Sequence, residues 1–515
     1  GVLVIPGTTT ISAPNRAVTI SNSSNNFTGA VSIDALTVDL EDANAIVLGE
    51  STVTGNYLVT AAGAVTQNSD TAQAGSSTTI TLATGASTAN DEYNSESVYI
   101  SSGTGAGQSR TISDYVGSTK VATVSSAWAT TPDNTSVYEL GALDITGTTT
   151  VSASGQNVTL ANTSNDFRDA VIITGADVEL VDADTIDLGA STVSGTYAVT
   201  AKLGDITQSG NLTVTNSSTF ETEAPNGTIL CGNSLCTSTG GTNAFSGTVK
   251  LTTTGSSGHA YIDNGTTALQ IADGTSVGGN LTLVSGNSSG ITDAGTLTVG
   301  GNLYATTDAN NGDIDLGGLV MSATTSKIQL TTHNNGAATV VNTKHLHFIS
   351  ADVGGNFTAT ATDGTITQDS AFDIDGTSDF HSVSADNIIL DSAENDFTGD
   401  VRFRGGAVVI KDTNDIEFGG GDSTAAATLD GFALKVYAGD RITDDSTIPS
   451  NLKVTGGNAW FGTNFGNEPA GSGDDATSQS RIVLDSAGNV FSGTTTLRGG
   501  IGYTVNSSSS VVLTA

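Results

Sequence analysis

Apolar and polar residues alternate along most of this chain in short runs separated by Gly, Asn or Asp. In Asp177-Val178-Glu179-Leu180, the two apolar residues fall on one face of an extended strand and the acidic residues on the other. Ile186-Asp187-Leu188 repeats this pattern a few residues later. No segment sustains a helical apolar period for three turns, so the sequence predicts many short strands and essentially no long helix.

A turn motif interrupts the alternation at five places. Each copy places an Asn two residues before a Phe and follows the Phe with a small or polar pair, usually containing Gly. Asn is a strong turn former, so we predict a structural corner whose aromatic side chain points inward. The five corner pairs are Asn25 with Phe27, Asn165 with Phe167, Asn243 with Phe245, Asn395 with Phe397, and Asn489 with Phe491.

The first copy belongs to an internal duplication. Residues 18–67 recur 140 positions later, so that Phe27 matches Phe167 and Leu40 matches Leu180. A string of β-sandwich domains would need a larger aromatic core and a constant repeat length. Variable spacing between copies built from one short unit favours a solenoid with differing numbers of coils between the corners.

These patterns predict an all-β fold, a right-handed parallel β-helix, with one small inserted antiparallel β domain. We expect the first coils over residues 1–67, the inserted module over 68–147, and the main run of coils over 148–515. Coils of about 20 residues would then number some 20 in all. The chain ends in what reads as the middle of a strand, and we expect the natural protein to be longer.

The predicted insert contains neither repeat signature and is rich in aromatic residues. Its segment from Gly103 to Ile112 resembles small modules found in phage-like and surface proteins. The aromatic side chains could stack on sugar rings of a glycan, or they could form the small core of the insert itself. The candidate glycan-contact residues are Tyr93, Tyr99, Tyr115, Trp128 and Tyr138.

Charge narrows the choice of partners. The 515 residues include 16 Lys and Arg against 52 Asp and Glu, a formal net charge of −36. Such a polyanion repels nucleic acids and anionic lipid surfaces, so we expect neither as a partner. The sequence also contains no apolar run of the length that a membrane-spanning helix needs.

Few residues suggest chemistry. Cys231 and Cys236 could form a local disulfide across a Gly-Asn-Ser turn or remain free thiols, and no second pair completes a zinc site. Gly274-Thr275-Ser276-Val277-Gly278 matches the nucleophile-elbow pattern, but no helix follows and we interpret it as a turn. His345 and His347 could share one strand face as a metal pair or simply face solvent. We expect no catalytic residues, no metal and no cofactor.

The corner Asn-Asp-Phe, followed by Val178-Glu179-Leu180-Val181-Asp182 and Ile186-Asp187-Leu188-Gly189, resembles the repeats of filamentous-haemagglutinin-type exoproteins. The resemblance covers roughly residues 10–67 and 148–515. It implies a right-handed β-helix exported by a two-partner or autotransporter route, acting as a bacterial adhesin or surface fibre.

We therefore expect a secreted or cell-surface adhesin or structural fibre segment without catalysis. Its partners would be glycans or proteins of host or neighbouring cells, or other copies of itself. One alternative is a self-polymerising extracellular filament or phage-type fibre subunit. Another is a polysaccharide-degrading β-helix enzyme, because such enzymes gather Asp, Arg or Lys side chains on neighbouring coils.

Overall fold

The computed structural model describes residues 1–230, 243–383, 386–423, 432–444, 451–463, 481–486, 488–498, 502–505 and 511–514, with the side chains of 502, 503 and 511–514 left out. Among these residues there are strands and turns but no helix. The chain divides into two compact units, Gly1–Tyr261 and Ile262–Ala515. The parallel β-solenoid expected from the sequence is confirmed, with about 20 turns in all.

In the first unit, parallel strands from successive coils stand side by side in register. Val178–Asp182, for example, pairs with Tyr197–Ala201, which in turn pairs with Ser218–Pro225. The solenoid strands of this unit are Val4–Ile5, Thr9–Ile20, Asn26–Phe27, Val31–Asp42, Ile46–Leu48, Ser51–Val53, Tyr57–Ala61, Val65–Thr71, Leu143–Ile145, Thr149–Ser152, Val158–Leu160, Asp166–Phe167, Val171–Gly175, Val178–Asp182, Ile186–Leu188, Ser191–Val193, Tyr197–Ala201, Ile206–Gln208, Leu212–Val214, Ser218–Pro225, Ala244–Phe245 and Thr248–Thr254.

The second unit has the same construction, and the strand Ala260–Asp263 contains the boundary between the units. Its strands are Leu269–Ile271, Thr275–Val277, Leu281–Ser285, Ile291–Asp293, Leu297–Val299, Leu303–Asn310, Ile314–Val320, Ile328–His333, Ala338–Asn342, Leu346–Val353, Phe357–Ala361, Ile366–Gln368, Phe372–Ile374, Ser378–Ser382, Ile388–Leu390, Asp396–Phe397, Val401–Gly405, Val408–Asp412, Ile416–Ser423, Phe432–Ala438, Arg441–Asp444, Leu452–Val454, Asn458–Thr463, Arg481–Leu484, Val490–Phe491, Thr495–Arg498, Gly502–Val505 and Val511–Thr514.

Antiparallel pairing occurs in a module that interrupts the first unit between Val65–Thr71 and Leu143–Ile145. The end of Val65–Thr71 pairs antiparallel with the last strand of the module, so Asn68 faces Leu140. The module adds the strands Ala74–Ser76, Thr79–Thr81, Ser97–Ser102, Ser109–Val116, Val121–Val124 and Val137–Leu140.

The solenoid continues across this module without a break in its stacking. Leu143–Ile145 pairs in parallel with Ser51–Val53, and Thr149–Ser152 pairs with Tyr57–Ala61. The coil before the module and the coil after it are therefore direct neighbours.

The core follows from the alternation in the sequence, because inward positions carry the apolar residues. Val178, Leu180, Ile186 and Leu188 are all at most 2% exposed. In the second unit a series of phenylalanines adds aromatic packing. The ring of Phe372 lies 5.4 to 6.4 Å, centroid to centroid, from the rings of Phe348, Phe357, Phe380 and Phe397. Most of these pairs meet edge to face, the arrangement that aromatic quadrupoles favour.

Candidate functional sites

The Asn of each corner motif is buried and binds the preceding coil. Its Oδ1 accepts a backbone N–H from a residue that lies 22 to 37 positions earlier in the sequence. A buried N–H without a partner is costly. Four of the five donor residues, all but Leu3, are buried, so at those corners the Asn satisfies a donor that would otherwise be costly to leave unpaired. The donor and acceptor pairs, at 2.9 to 3.2 Å, are Leu3 with Asn25, Leu143 with Asn165, Leu212 with Asn243, Phe372 with Asn395, and Leu452 with Asn489.

The Phe of each corner is buried beside an Ile or Val of that same preceding coil. This apolar residue always lies two positions after the N–H donor to the corner Asn. The preceding coil therefore carries an apolar-x-Ile/Val signature, which is visible in the sequence once the structure shows where to look. The strand neighbours are Ile5 with Phe27, Ile145 with Phe167, Val214 with Phe245, Ile374 with Phe397, and Val454 with Phe491.

A second side chain of the preceding coil completes four of the corners. Gln67 donates to Oδ1 of Asn165 at 2.7 Å and accepts from its Nδ2 at 3.1 Å. Gln208 and Gln368 make the same two-way contact with Asn243 and Asn395. At the fifth motif Asp444 replaces the glutamine and accepts from Nδ2 of Asn489 at 2.6 Å. The Gln67 contact joins residues that are separated by the inserted module.

At three corners, an Asp that lies 17 positions after the Asn accepts hydrogen bonds from backbone N–H groups of the turns. Its Oδ2 accepts the N–H of the corner Phe, at 2.7 Å for Asp42 and Asp182 and at 3.0 Å for Asp412. Its Oδ1 accepts a second backbone N–H two residues further on. Burial raises the pKa of Asp182 and Asp412 to about 7 despite these bonds. Each of the two carboxylate oxygens thus accepts a backbone N–H, and the two bonds hold the corner in place.

The five aromatic residues predicted to contact a glycan lie in the inserted module. Tyr93, Tyr115, Trp128 and Tyr138 are 6% exposed or less and pack in the core of the module, while Tyr99 is half-buried. Tyr93 and Tyr115 form an edge-to-face pair with a centroid distance of 4.7 Å. Three tyrosine hydroxyls also hold the loop before the third strand of the module. Tyr115 donates to Ser87 O, Tyr93 accepts from Ser87 N, and Tyr138 accepts from Ala83 N. Four of these rings therefore form the core of the insert, which is the second of the two roles that the sequence allowed.

A polar cleft of about 440 Å³ lies where the module meets the solenoid. Ser97 comes from the module and Ser164 from a later coil, and their hydroxyls lie 3.0 Å apart. Oε2 of Glu50 is buried there without a hydrogen-bond partner among the described residues, and burial raises the pKa of this carboxyl. Sequence reasoning missed the cleft because its residues come from stretches that lie far apart in the sequence. Its lining is Glu50, Ser95, Ser97, Ser109, Arg110, Thr111, Ser125, Ser126, Ala142 and Ser164.

The remaining sequence candidates lie on strand surfaces. Leu346 and Phe348 are buried, so His345 and His347 share the outward face. His347 Nε2 lies 2.7 Å from an oxygen of Asp369, whose pKa is lowered by hydrogen bonds from Lys327 and His347. Ser276 is exposed in the middle of the strand Thr275–Val277.

Two further kinds of site considered from the sequence are a metal site and a disulfide. Within the described part of the chain, no group of three or more His, Cys, Asp or Glu side chains could hold a metal ion. Cys231 and Cys236 lie outside the described residues. Among the residues that the structure describes, no helix is long and apolar enough to cross a membrane.

Together, the stacked parallel strands and the corners that repeat their contacts define a β-solenoid repeat protein. The family described as Repeats of unknown function (DUF5649) matches residues 1–34, 35–95, 109–174, 175–252 and 334–404. These segments cover more than half of the chain, which belongs to this family. Neither a curated protein nor a solved structure matches the chain.

Proposed function

We propose that this chain is a non-catalytic structural segment of a cell-surface fibre or adhesin. The observation that carries the proposal is the hydrogen-bonded corner, in which each Asn pairs with a backbone N–H of the preceding coil in all five copies. Repeated bonds between neighbouring coils add a stabilising contribution at each interface, as in other repeat proteins. A rigid spacer needs such interfaces and needs no catalytic group.

The position of the inserted module supports the same role. Thr149–Ser152 lies directly against Tyr57–Ala61, so the coils are stacked as if the module were absent. A module attached in this way can vary without disturbing the solenoid. In our proposal the solenoid presents the module, and the module or the outer faces of the coils meet the partner.

The proposed location is outside the cell, where a strongly acidic surface keeps long molecules from associating non-specifically. The repeats also resemble those of exported filamentous-haemagglutinin-type proteins, which act at bacterial surfaces. The proposed partners are therefore glycans or proteins of neighbouring cells, or other copies of this chain.

The test uses a variant in which residues 69–139 are removed and Asn68 is joined to Leu140 through two glycines. These two residues are direct antiparallel neighbours, so a short link can connect them. We expect the variant to resist proteolysis as the complete chain does. Displayed on non-adherent cells, the complete chain should promote attachment to other cells. A variant that is degraded rapidly, or an intact chain that releases new reducing ends from acidic polysaccharides, would contradict the proposal.

A further inference from the structure

Four neighbouring strands of the second unit present an unusual outer face. The strands are Val408–Asp412, Phe432–Ala438, Asn458–Thr463 and Thr495–Arg498, and they pair in parallel in this order. Two rows of residues run across them at strand spacing, about 4.8 Å per step. One row is Val409, Lys435, Trp460 and Thr496, and the other is Lys411, Tyr437, Gly462 and Arg498. We call this surface the aromatic face.

Its two rings lie side by side on the outside of the solenoid. Tyr437 and Trp460 are each half-buried, with a centroid distance of 4.4 Å and an angle of 43° between the ring planes. The indole lies over Gly462, where an added Cβ would come within 2.1 Å of Cη2 of Trp460. The glycine therefore makes room for the indole to lie against the strand surface. The other described ring pairs of the second unit consist of buried phenylalanines.

The charge of the aromatic face is opposite to that of the whole chain. Lys411 Nζ lies 5.2 Å from the centre of the Tyr437 ring, and Arg498 is exposed two strands away in the same row. Lys435 lies in the adjacent row. None of the half-buried or exposed positions in these four strands is Asp or Glu, in a chain with 52 acidic residues. A local cationic surface on a polyanion is a specific feature that general solubility does not require.

We propose that the aromatic face binds an acidic polysaccharide. The apolar C–H face of a sugar ring can lie on the rings of Tyr437 and Trp460, which offer flat, partly exposed surface. Carboxylates of the same polymer can form charge-assisted hydrogen bonds with Lys411, Lys435 and Arg498. Because the rows run across neighbouring strands, an extended polymer lying along them would meet both the rings and the cationic side chains. This inference rests on the proposed surface role and names its ligand class.

The experiment uses the complete chain and two matched polymers. Trp128 and Trp460 are the two tryptophans, so Trp128→Phe leaves Trp460 as the only indole reporter. We expect polygalacturonate to change the emission of Trp460 and to protect it from quenching by acrylamide. Fully methyl-esterified polygalacturonate has the same backbone without the charge and should have no such effect. The response to polygalacturonate should weaken as ionic strength rises.

Affinity electrophoresis of the chain with both native tryptophans then locates the site. Trp460→Ala should weaken polygalacturonate binding roughly tenfold, the loss expected when a stacking ring is removed. Lys411→Gln combined with Lys435→Gln keeps both rings and should weaken it at least as much. Tyr304→Ala is the matched control, because it removes a half-buried outward ring from the strand Leu303–Asn310, outside the aromatic face, and it should bind as the unmodified chain does.

Three results would overturn the proposal. They are an unchanged Trp460 signal with polygalacturonate, an equal response to the esterified polymer, and equal binding by the Trp460→Ala and Tyr304→Ala variants. None of these results alters the protease resistance of the variant lacking residues 69–139. Failure of this inference and failure of the proposed structural role can therefore be told apart.

Discussion

Asn165→Ala tests the corner contact at a copy whose Asn bonds both the preceding coil and its own turn. Oδ1 of Asn165 accepts from Leu143 N at 3.0 Å and from Gln67 Nε2 at 2.7 Å, and Nδ2 donates to Leu160 O at 3.2 Å. The substitution removes these bonds and leaves the N–H of Leu143, a fully buried residue, unpaired. A net contribution of about 1 kcal/mol for each of the three bonds, with a further penalty of about 1–3 kcal/mol for the orphaned N–H, gives a loss of about 4–6 kcal/mol.

The assay is native-state hydrogen exchange at the amide of Leu143, supported by urea denaturation. A loss of this size should speed exchange by about a hundredfold or more. The matched control is Asn157→Ala, because Asn157 is exposed and its Oδ1 accepts a single bond, from Asp177 N at 3.2 Å. We expect the control to cost less than about 1 kcal/mol. Equal effects of the two substitutions would refute the claim that the corner Asn holds neighbouring coils together.

Three further predictions concern the carboxyls, the aromatic core and the surface. The pKa of Asp182 and of Asp412 is about 7 in the folded chain against an ordinary value of 3.8, so their protonated forms favour folding. Their stabilising effect is complete below about pH 4 and is lost as pH rises through 7. Asp182→Asn should therefore reduce the change in urea midpoint between pH 4 and pH 8. The same change in the variant as in the unmodified chain would contradict this. Phe372→Ala, which removes a ring packed against four others, should cost about 3–5 kcal/mol by denaturation, against under about 1.5 for Phe372→Leu. Arg168→Ala, which breaks exposed ion pairs with Asp144 and Asp166, should change the free energy of unfolding by less than about 1 kcal/mol, and a larger loss would show that these pairs contribute more than surface contacts do.

Much of the solenoid could be predicted because its coils repeat local patterns. The alternation in Val178-Glu179-Leu180 places Val178 and Leu180 inward, and both are buried in the strand Val178–Asp182. The turn chemistry of Asn165 likewise shows in its own neighbourhood. Such local patterns are enough to predict a strand or a turn, because each pattern corresponds to one local structure.

The partners of these residues could not be predicted, because they depend on which coils become neighbours. Nothing near Gln67 in the sequence shows that it binds Asn165 on the far side of the inserted module. The aromatic face has the same origin, since Tyr437 and Trp460 come together only through the register of their two strands. Alternation says that Trp460 points outward but does not say what it meets there.

The most direct test of the account asks whether the coils on either side of the inserted module are neighbours. Leu58 and Thr150 are partners on adjacent parallel strands, and both face outward. In a Cys231→Ser, Cys236→Ser background, Leu58→Cys with Thr150→Cys should be joined rapidly by a short thiol crosslinker. Leu58→Cys with Thr159→Cys should not, because Thr159 pairs with Thr66. Equal crosslinking of the two pairs, or none in the first, would contradict the stacking on which the proposed function depends.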